Sequence, residues 1–255
     1  SAKMAHQQTK GGAFGVPDQV PQVDYAAAKA HVADVIAQIE PMDSVERFEG
    51  FGVRVIQEYG HFISPSVVQA GDHQITARRV VIATGSSPLV PPIPGLDQVD
   101  YLTNETLFEM TETSEHLLII GGGPIGMEMA QAHVRLGVKV TVIEGAKALG
   151  RDDPEMAAIV LERLRGEGVE IAEDAMAKAV TQKDGVITVE AQDGRSFSGS
   201  HLLVAVGRKA NMARLNLEAA GIETHKTGIS VDASLKTSNK KVYAIGDVAG
   251  GAQFT

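Results

Sequence analysis

Residues 116 to 144 constrain the fold more than any other stretch. An apolar segment, HLLII, runs into Gly121-Gly122-Gly123-Pro124-Ile125-Gly126, a helical stretch reaches Leu136, and a second apolar segment, VKVTVIE, ends on Glu144. Strand, helix and parallel strand in about 30 residues is the size of a βαβ unit. The glycines fit G-x-G-x-x-G. In that pattern Gly121 permits a tight turn, Gly123 lets a pyrophosphate approach the backbone, and Gly126 lets helix and strand pack closely, with the small Ala130 one helical turn later. The helix start offers unpaired amides and the positive end of its dipole to phosphates. Glu144 stands 18 residues after Gly126, where an acid that binds ribose hydroxyls is expected. A glycine turn packed for sterics alone, with Glu144 merely solvated, is the competing account. The strand before, the helix after and the acid beyond together disfavour it. A carboxylate at 144 repels the extra phosphate of NADP, so NAD(H) is favoured over NADP(H), with Lys147 and Arg151 as opposing charges nearby in sequence.

At 255 residues the chain has room for two modest cores. Hydrophobic residues make up 44% and charged residues 22%, the balance of a folded globular protein. The net charge of -9 opposes binding to phosphate backbones and anionic membranes, so neither nucleic acid nor membrane is an expected partner. No apolar run reaches the ~20 residues that span a bilayer, and Ser1–Lys10 lacks a signal-peptide core, which sets a cytoplasmic expectation. There is no cysteine, which excludes disulfides, thiolate metal sites and a cysteine nucleophile on this polypeptide. The start on Ser and the end just after a glycine-rich loop read as cut ends.

Along the chain, residues 24–39 carry apolar groups at helical spacing, with Asp24 as cap and Pro41 as stop, and read as a surface helix. VRVI, HFISPSVVQ and RRVVIA read as strands. SSPLVPPIPG has four prolines between 88 and 94, which forbid helix and sheet interior and predict a linker or crossover. A second helix is expected from Pro154 to near Gly166, preceded by two aspartates. Between 169 and 206, Asp184-Gly185 and Asp193-Gly194 signal tight hairpins, giving an antiparallel meander inserted in a parallel sheet. A closing strand, KVYAIGD, enters a glycine-rich loop.

Two further segments end strands in small or acidic residues. Val80-Val81-Ile82-Ala83-Thr84-Gly85-Ser86 lets the backbone pass close to a ligand, although a plain strand-to-turn ending explains it equally. In Val242-Tyr243-Ala244-Ile245-Gly246-Asp247 the carboxylate of Asp247 suits either a polyol or, on spacing alone, the cap of a following helix.

Taken in order, VVIATGSSP, LLIIGGGPIGMEMA, LLVAVGRKAN and VYAIGDVAGG resemble the signatures of the class I pyridine nucleotide-disulfide oxidoreductases, the flavoenzymes that include dihydrolipoamide dehydrogenase, glutathione reductase and mercuric reductase. The resemblance covers essentially the whole chain. It implies an α/β fold: a Rossmann-like three-layer NAD domain with an antiparallel β-meander, plus a partial FAD domain of the same type. The implied domains are 1–86 (partial FAD), 87–207 (NAD(P), with linker) and 208–255 (return to FAD). The implied activity is hydride transfer between NAD(H) and the FAD of the full-length enzyme, with a small disulfide or a metal ion as electron acceptor. GGAQFT leans towards mercuric reductase.

Position by position, the resemblance implies that Glu128 approaches the nicotinamide and that Gly207 contacts that cofactor. Thr84, Gly85 and Ser86 would run beside FAD, Gly60 would make a backbone contact near its adenine, and Asp247 would bind the ribityl chain rather than cap a helix. Pro124 stands where glutathione reductase-like members place a tyrosine over the flavin, so an aromatic gate is absent. Members begin with a glycine motif for the FAD pyrophosphate, a redox-active cysteine pair and the lysine partner of Glu128. They end with a dimerisation domain that supplies a histidine and a glutamate. None of these is present, so the eight histidines supply no general acid, no catalytic residue is assigned and no metal site is expected. The reading is therefore a fragment, inactive alone, of a homodimeric enzyme. Two alternatives stay open: a non-disulfide NADH:flavin oxidoreductase of the two-domain type, and a stand-alone NAD-binding module without catalysis.

Overall fold

A computed structural model describes residues 1–251. In chain order, helices α1 (Ala2–Gln8), α2 (Tyr25–Ile39) and α3 (Val45–Gly50) precede strands β1 (Gly60–Ser64), β2 (Val67–Ala70), β3 (His73–Thr76), β4 (Val80–Ile82) and β5 (Ser86–Pro88). Then come β6 (Tyr101–Leu102), β7 (His116–Ile120), α4 (Pro124–Arg135), β8 (Lys139–Ile143), α5 (Pro154–Gly166) and β9 (Glu170–Ala172). The meander β10 (Ala177–Lys183), β11 (Val186–Ala191) and β12 (Ser196–Gly199) leads to β13 (His201–Val204) and β14 (Arg208–Ala210). The last strands are β15 (Thr224–His225), β16 (Gly228–Ile229) and β17 (Val242–Ala244). No helix among the described residues is long and apolar enough to cross a membrane.

The chain divides into two compact units, Ser1–Gln38 with Pro88–Gly207, and Ile39–Ser87 with Arg208 onward. The first unit is built on a parallel sheet in the order β6-β13-β7-β8-β9. Its central strands are apolar on both faces: Leu117, Leu118 and Ile119 of β7 and Val140 and Val142 of β8 are fully buried, the pattern of a sheet covered on each side. One face packs on α4 and α5 through Met127, Ala130, Leu161 and Leu164. The other packs on the meander through Leu118, Ile120, Val180, Ile187 and Val189. Helices, sheet and meander make the three Rossmann-like layers. The meander forms its own three-stranded sheet, β10-β11-β12, rather than strands within the parallel one. Asp184 (φ +50°) and Gly185 (φ +81°) join Lys183 to its partner Val186. Positive φ at both loop residues is what a two-residue hairpin requires.

Helix ends follow local chemistry. Asp153 Oδ1 accepts the amides of Glu155 and Met156 at the start of α5, with Pro154 at the first helical position. Asp24 Oδ1 accepts the amide of Ala27 at the start of α2, and a short 3-10 turn, Glu40–Met42, carries Pro41 beyond its end. Residues 1–38 group with the first unit rather than with residues 39–86, unlike the 1–86 boundary expected above. The reason is local packing: α1 lies on α4 and buries Ala5, His6 reaches Arg163, and Lys29 of α2 donates to the carbonyls of Leu107 and Phe108.

In the second unit β4 pairs in parallel with β17, β5 pairs with β14, and β1-β2-β3 form an antiparallel sheet. Its core joins Phe62, Ile82, Leu217, Ile229, Val242 and Ala244. Two expectations are corrected here. VRVI (53–56) forms no strand, and HFISPSVVQ is two strands, β1 and β2, split at Pro65 because proline cannot donate to the ladder.

Candidate nucleotide sites

In the first unit, β7 delivers the glycine loop to the start of α4. Gly121 has φ +113°, and a Cβ there would collide with the Ala205 carbonyl. A Cβ on Gly126 would collide with the Gly121 carbonyl and touch Ile119, so helix and strand approach as closely as the spacing requires. Gly123 is different: it is the N-cap of α4, no side chain caps the helix, and its Cβ would meet nothing within 4 Å. The amides of Ile125 and Gly126 belong to the first turn and have no intrahelical acceptor. Open space in front of an uncapped, 12-residue helix is a cradle that a pyrophosphate fits.

Glu144 follows β8, with one carboxylate oxygen on each side. Oε2 accepts the Gly122 amide at 2.6 Å and Oε1 accepts the Ala146 amide at 2.8 Å. The acid is thus held beside the glycine loop by two backbone donors, with the remaining lone pairs able to accept ribose hydroxyls. Lys147 is engaged with Asp174 at 2.6 Å, whereas Arg151 is exposed. Pro124, at the first helical position, and Glu128, one turn on, are exposed on α4. Ile125 is half-buried between them. Glu128 has no side-chain partner among the described residues. Gly207, at φ +143° with open space about its missing Cβ, closes the unit; its carbonyl accepts the Leu89 amide. His133 is buried in α4 with Nδ1 on the Met129 carbonyl, and burial lowers its pKa; it belongs to the core.

In the second unit the parallel pair β4 and β17 brings Thr84, Gly85, Ser86 and Asp247 together at its carboxyl ends, the edge where open α/β sheets bind ligands. Ser86 Oγ donates to Asp247 Oδ2 at 2.5 Å. Asp247 lies inside a 3-10 turn, Gly246–Ala249, and caps no helix. Arg208, which sequence reading passed over, organises this cluster: Nε donates to Ser86 Oγ at 2.6 Å and an Nη to the Ser86 carbonyl at 2.5 Å, with Asp247 Oδ2 at 3.7 Å. Asn211, also passed over, accepts from Thr84 Oγ1 through its carbonyl and donates to the Thr84 carbonyl through Nδ2. Its amide donates to the Gly85 carbonyl. Both residues lie within GRKAN, so the motif was visible and its side-chain contacts were not. A half-buried carboxylate beside a hydroxyl and a guanidinium suits a polyol such as a ribityl chain. Gly60 opens β1 in the separate antiparallel sheet, where it pairs with Ala70.

A family model described as pyridine nucleotide-disulphide oxidoreductase matches residues 15–255. Among curated proteins, a mercuric reductase of Bacillus cereus is 35% identical over 245 residues, covering 94% of this chain and 39% of that protein. A dihydrolipoyl dehydrogenase of Geobacillus stearothermophilus is 32% identical over 263 residues, covering 98% of this chain and 55% of that protein. Among solved structures, the HOCl-induced flavoprotein disulfide reductase RclA from Escherichia coli superposes with a TM-score of 0.85 at 28% identity, covering 99% of this chain and 56% of that one. The chain spans about two fifths to half the length of the first curated relatives it matches.

Proposed function

The chain belongs to the pyridine nucleotide-disulphide oxidoreductase family, and we propose that it carries the NAD(H) site and part of the FAD site of an enzyme that moves hydride between them. Residues 88–207 hold the nicotinamide nucleotide in this reading, and residues 39–87 with 208–255 belong to the flavin domain. The observation that carries it is Glu144, pinned by two backbone amides beside the open amino end of α4. The helix end and glycine amides hold the pyrophosphate, and Glu144 accepts the ribose hydroxyls. Its charge repels the phosphate that distinguishes NADP. When bound, the nicotinamide would supply hydride to a flavin; Asp247, steadied by Ser86 and Arg208, would orient the ribityl chain.

Mercuric reductases and a dihydrolipoyl dehydrogenase both stand among the relatives, which supports a metal ion or a small disulfide as acceptor; the reading also makes the full-length protein a cytoplasmic homodimer. GGAQFT cannot weigh on that choice structurally, since Ala252–Thr255 lie outside the described residues. The test has two arms. Titrating the 255-residue chain with NADH should give saturable binding that Glu144→Ala weakens. Anaerobic addition of NADH to the full-length protein should bleach its flavin absorbance; an unbleached flavin would rule out the hydride path.

A further inference from the structure

The turn after β9 is stitched to the segment after β8. The Ala175 amide donates to the Glu144 carbonyl at 2.8 Å and the Asp174 amide to the Ala146 carbonyl at 2.9 Å, while Glu173 Oε1 accepts the Ala148 amide at 3.0 Å. At the centre of that turn Asp174 adopts φ +53°, a left-handed conformation that Asp and Asn tolerate better than other non-glycine residues. The bend places its carboxylate 2.6 Å from Lys147 Nζ, with the two side chains 68% and 66% exposed. Lys147 is three residues beyond Glu144, and Ala146 between them donates to Glu144 Oε1.

A 2′-phosphate on the ribose would have to replace the hydroxyl that Glu144 accepts and would need a cation beside it. Lys147, the cation closer to Glu144 in sequence, is paired with Asp174. Glu144, held by the Gly122 and Ala146 amides, stays beside the glycine loop as a negative charge. We infer that Asp174 is a specificity-determining residue, acting with Glu144 to exclude the 2′-phosphate of NADP by holding the Lys147 ammonium in an ion pair. The inference rests on the NAD-site reading and deepens it.

The experiment is calorimetric titration of the 255-residue chain with NADH and with NADPH, at low salt and at 0.5 M salt. The variants are Asp174→Asn, Asp174→Asn/Lys147→Met and Glu144→Ala. Asn keeps the left-handed backbone, so Asp174→Asn should fold normally, checked by circular dichroism. It should tighten NADPH about threefold to tenfold at low salt and leave NADH within about twofold, and high salt should erase the gain because exposed charges are screened. Adding Lys147→Met should remove most of the gain. Equal changes for both nucleotides, no change for NADPH, or a gain that survives Lys147→Met would overturn the role of Asp174. If Asp174→Asn fails in this way while Glu144→Ala still weakens NADH, the nucleotide site stands and Asp174 falls. If the unsubstituted chain binds neither nucleotide, both fall together.

Discussion

Glu144 Oε2 lies 2.6 Å from the Gly122 amide, so the acid that would choose the nucleotide also ties the glycine loop to the end of the next strand. Removing it therefore acts twice, on the ribose and on the loop. Glu144→Ala should weaken NADH about tenfold, the size of one or two charge-assisted hydrogen bonds, and weaken NADPH less. Glu144→Gln, which keeps an acceptor oxygen, should recover part of the loss. Equal loss of both nucleotides on titration would take Glu144 away from the ribose.

The glycines of the loop separate packing from ligand access. Gly126→Ala drives a methyl into the Gly121 carbonyl and should lower stability by about 3 kcal/mol, read from chemical denaturation. Gly123→Ala meets no atom within 4 Å, and as a poorer N-cap than glycine it should lower stability by only about 1 kcal/mol. It should nonetheless weaken NADH, because the methyl stands where the phosphates approach. A Gly123→Ala chain that binds NADH as before would remove the pyrophosphate from that helix end.

Arg208→Gln takes the guanidinium from Ser86 and from the side of Asp247. The full-length protein should lose flavin affinity. In an Asp247→Ala background the same substitution should have little further effect, since residues in one hydrogen-bond network are non-additive. Additive losses of flavin affinity, measured by fluorescence of released FAD, would show Arg208 acting elsewhere.

Glu167 is 4% exposed and accepts Arg135 Nε at 2.7 Å and Arg163 Nε at 2.5 Å. These arginines, Arg135 foremost, hold its pKa down to about 2. A carboxyl depressed in the folded state contributes stability above its unfolded value, near 4.5, and loses it as pH falls towards 2. Urea denaturation should show roughly 2 kcal/mol of this protection disappearing between those limits. Glu167→Gln should flatten that part of the pH profile and destabilise the chain at pH 7.

Where local pattern and tertiary demand coincide, the fold is legible in advance. The βαβ unit, both hairpin turns and the capped start of α5 each rest on residues within a few positions of one another. VRVI misled because β-branched residues mark a strand only if a partner strand is available, and among the described residues none pairs with 53–56. β3 was missed because His73–Thr76 is exposed at every position and shows no alternation. In the site, Glu144 was legible through its distance from the glycines. Arg208, Asn211 and Asp174 were not, since their partners Ser86, Thr84 and Lys147 lie 122, 127 and 27 residues away.

The Leu89 amide donates to the Gly207 carbonyl, and β5 lies beside β14, so the polypeptide leaves residues 88–207 almost where it enters them. A host fold that receives such a guest must bring only two neighbouring chain ends together, and it can do so without rearranging its own strands. Exchange of this stretch between related folds at the borders 87/88 and 207/208 is therefore a matter of two splice points.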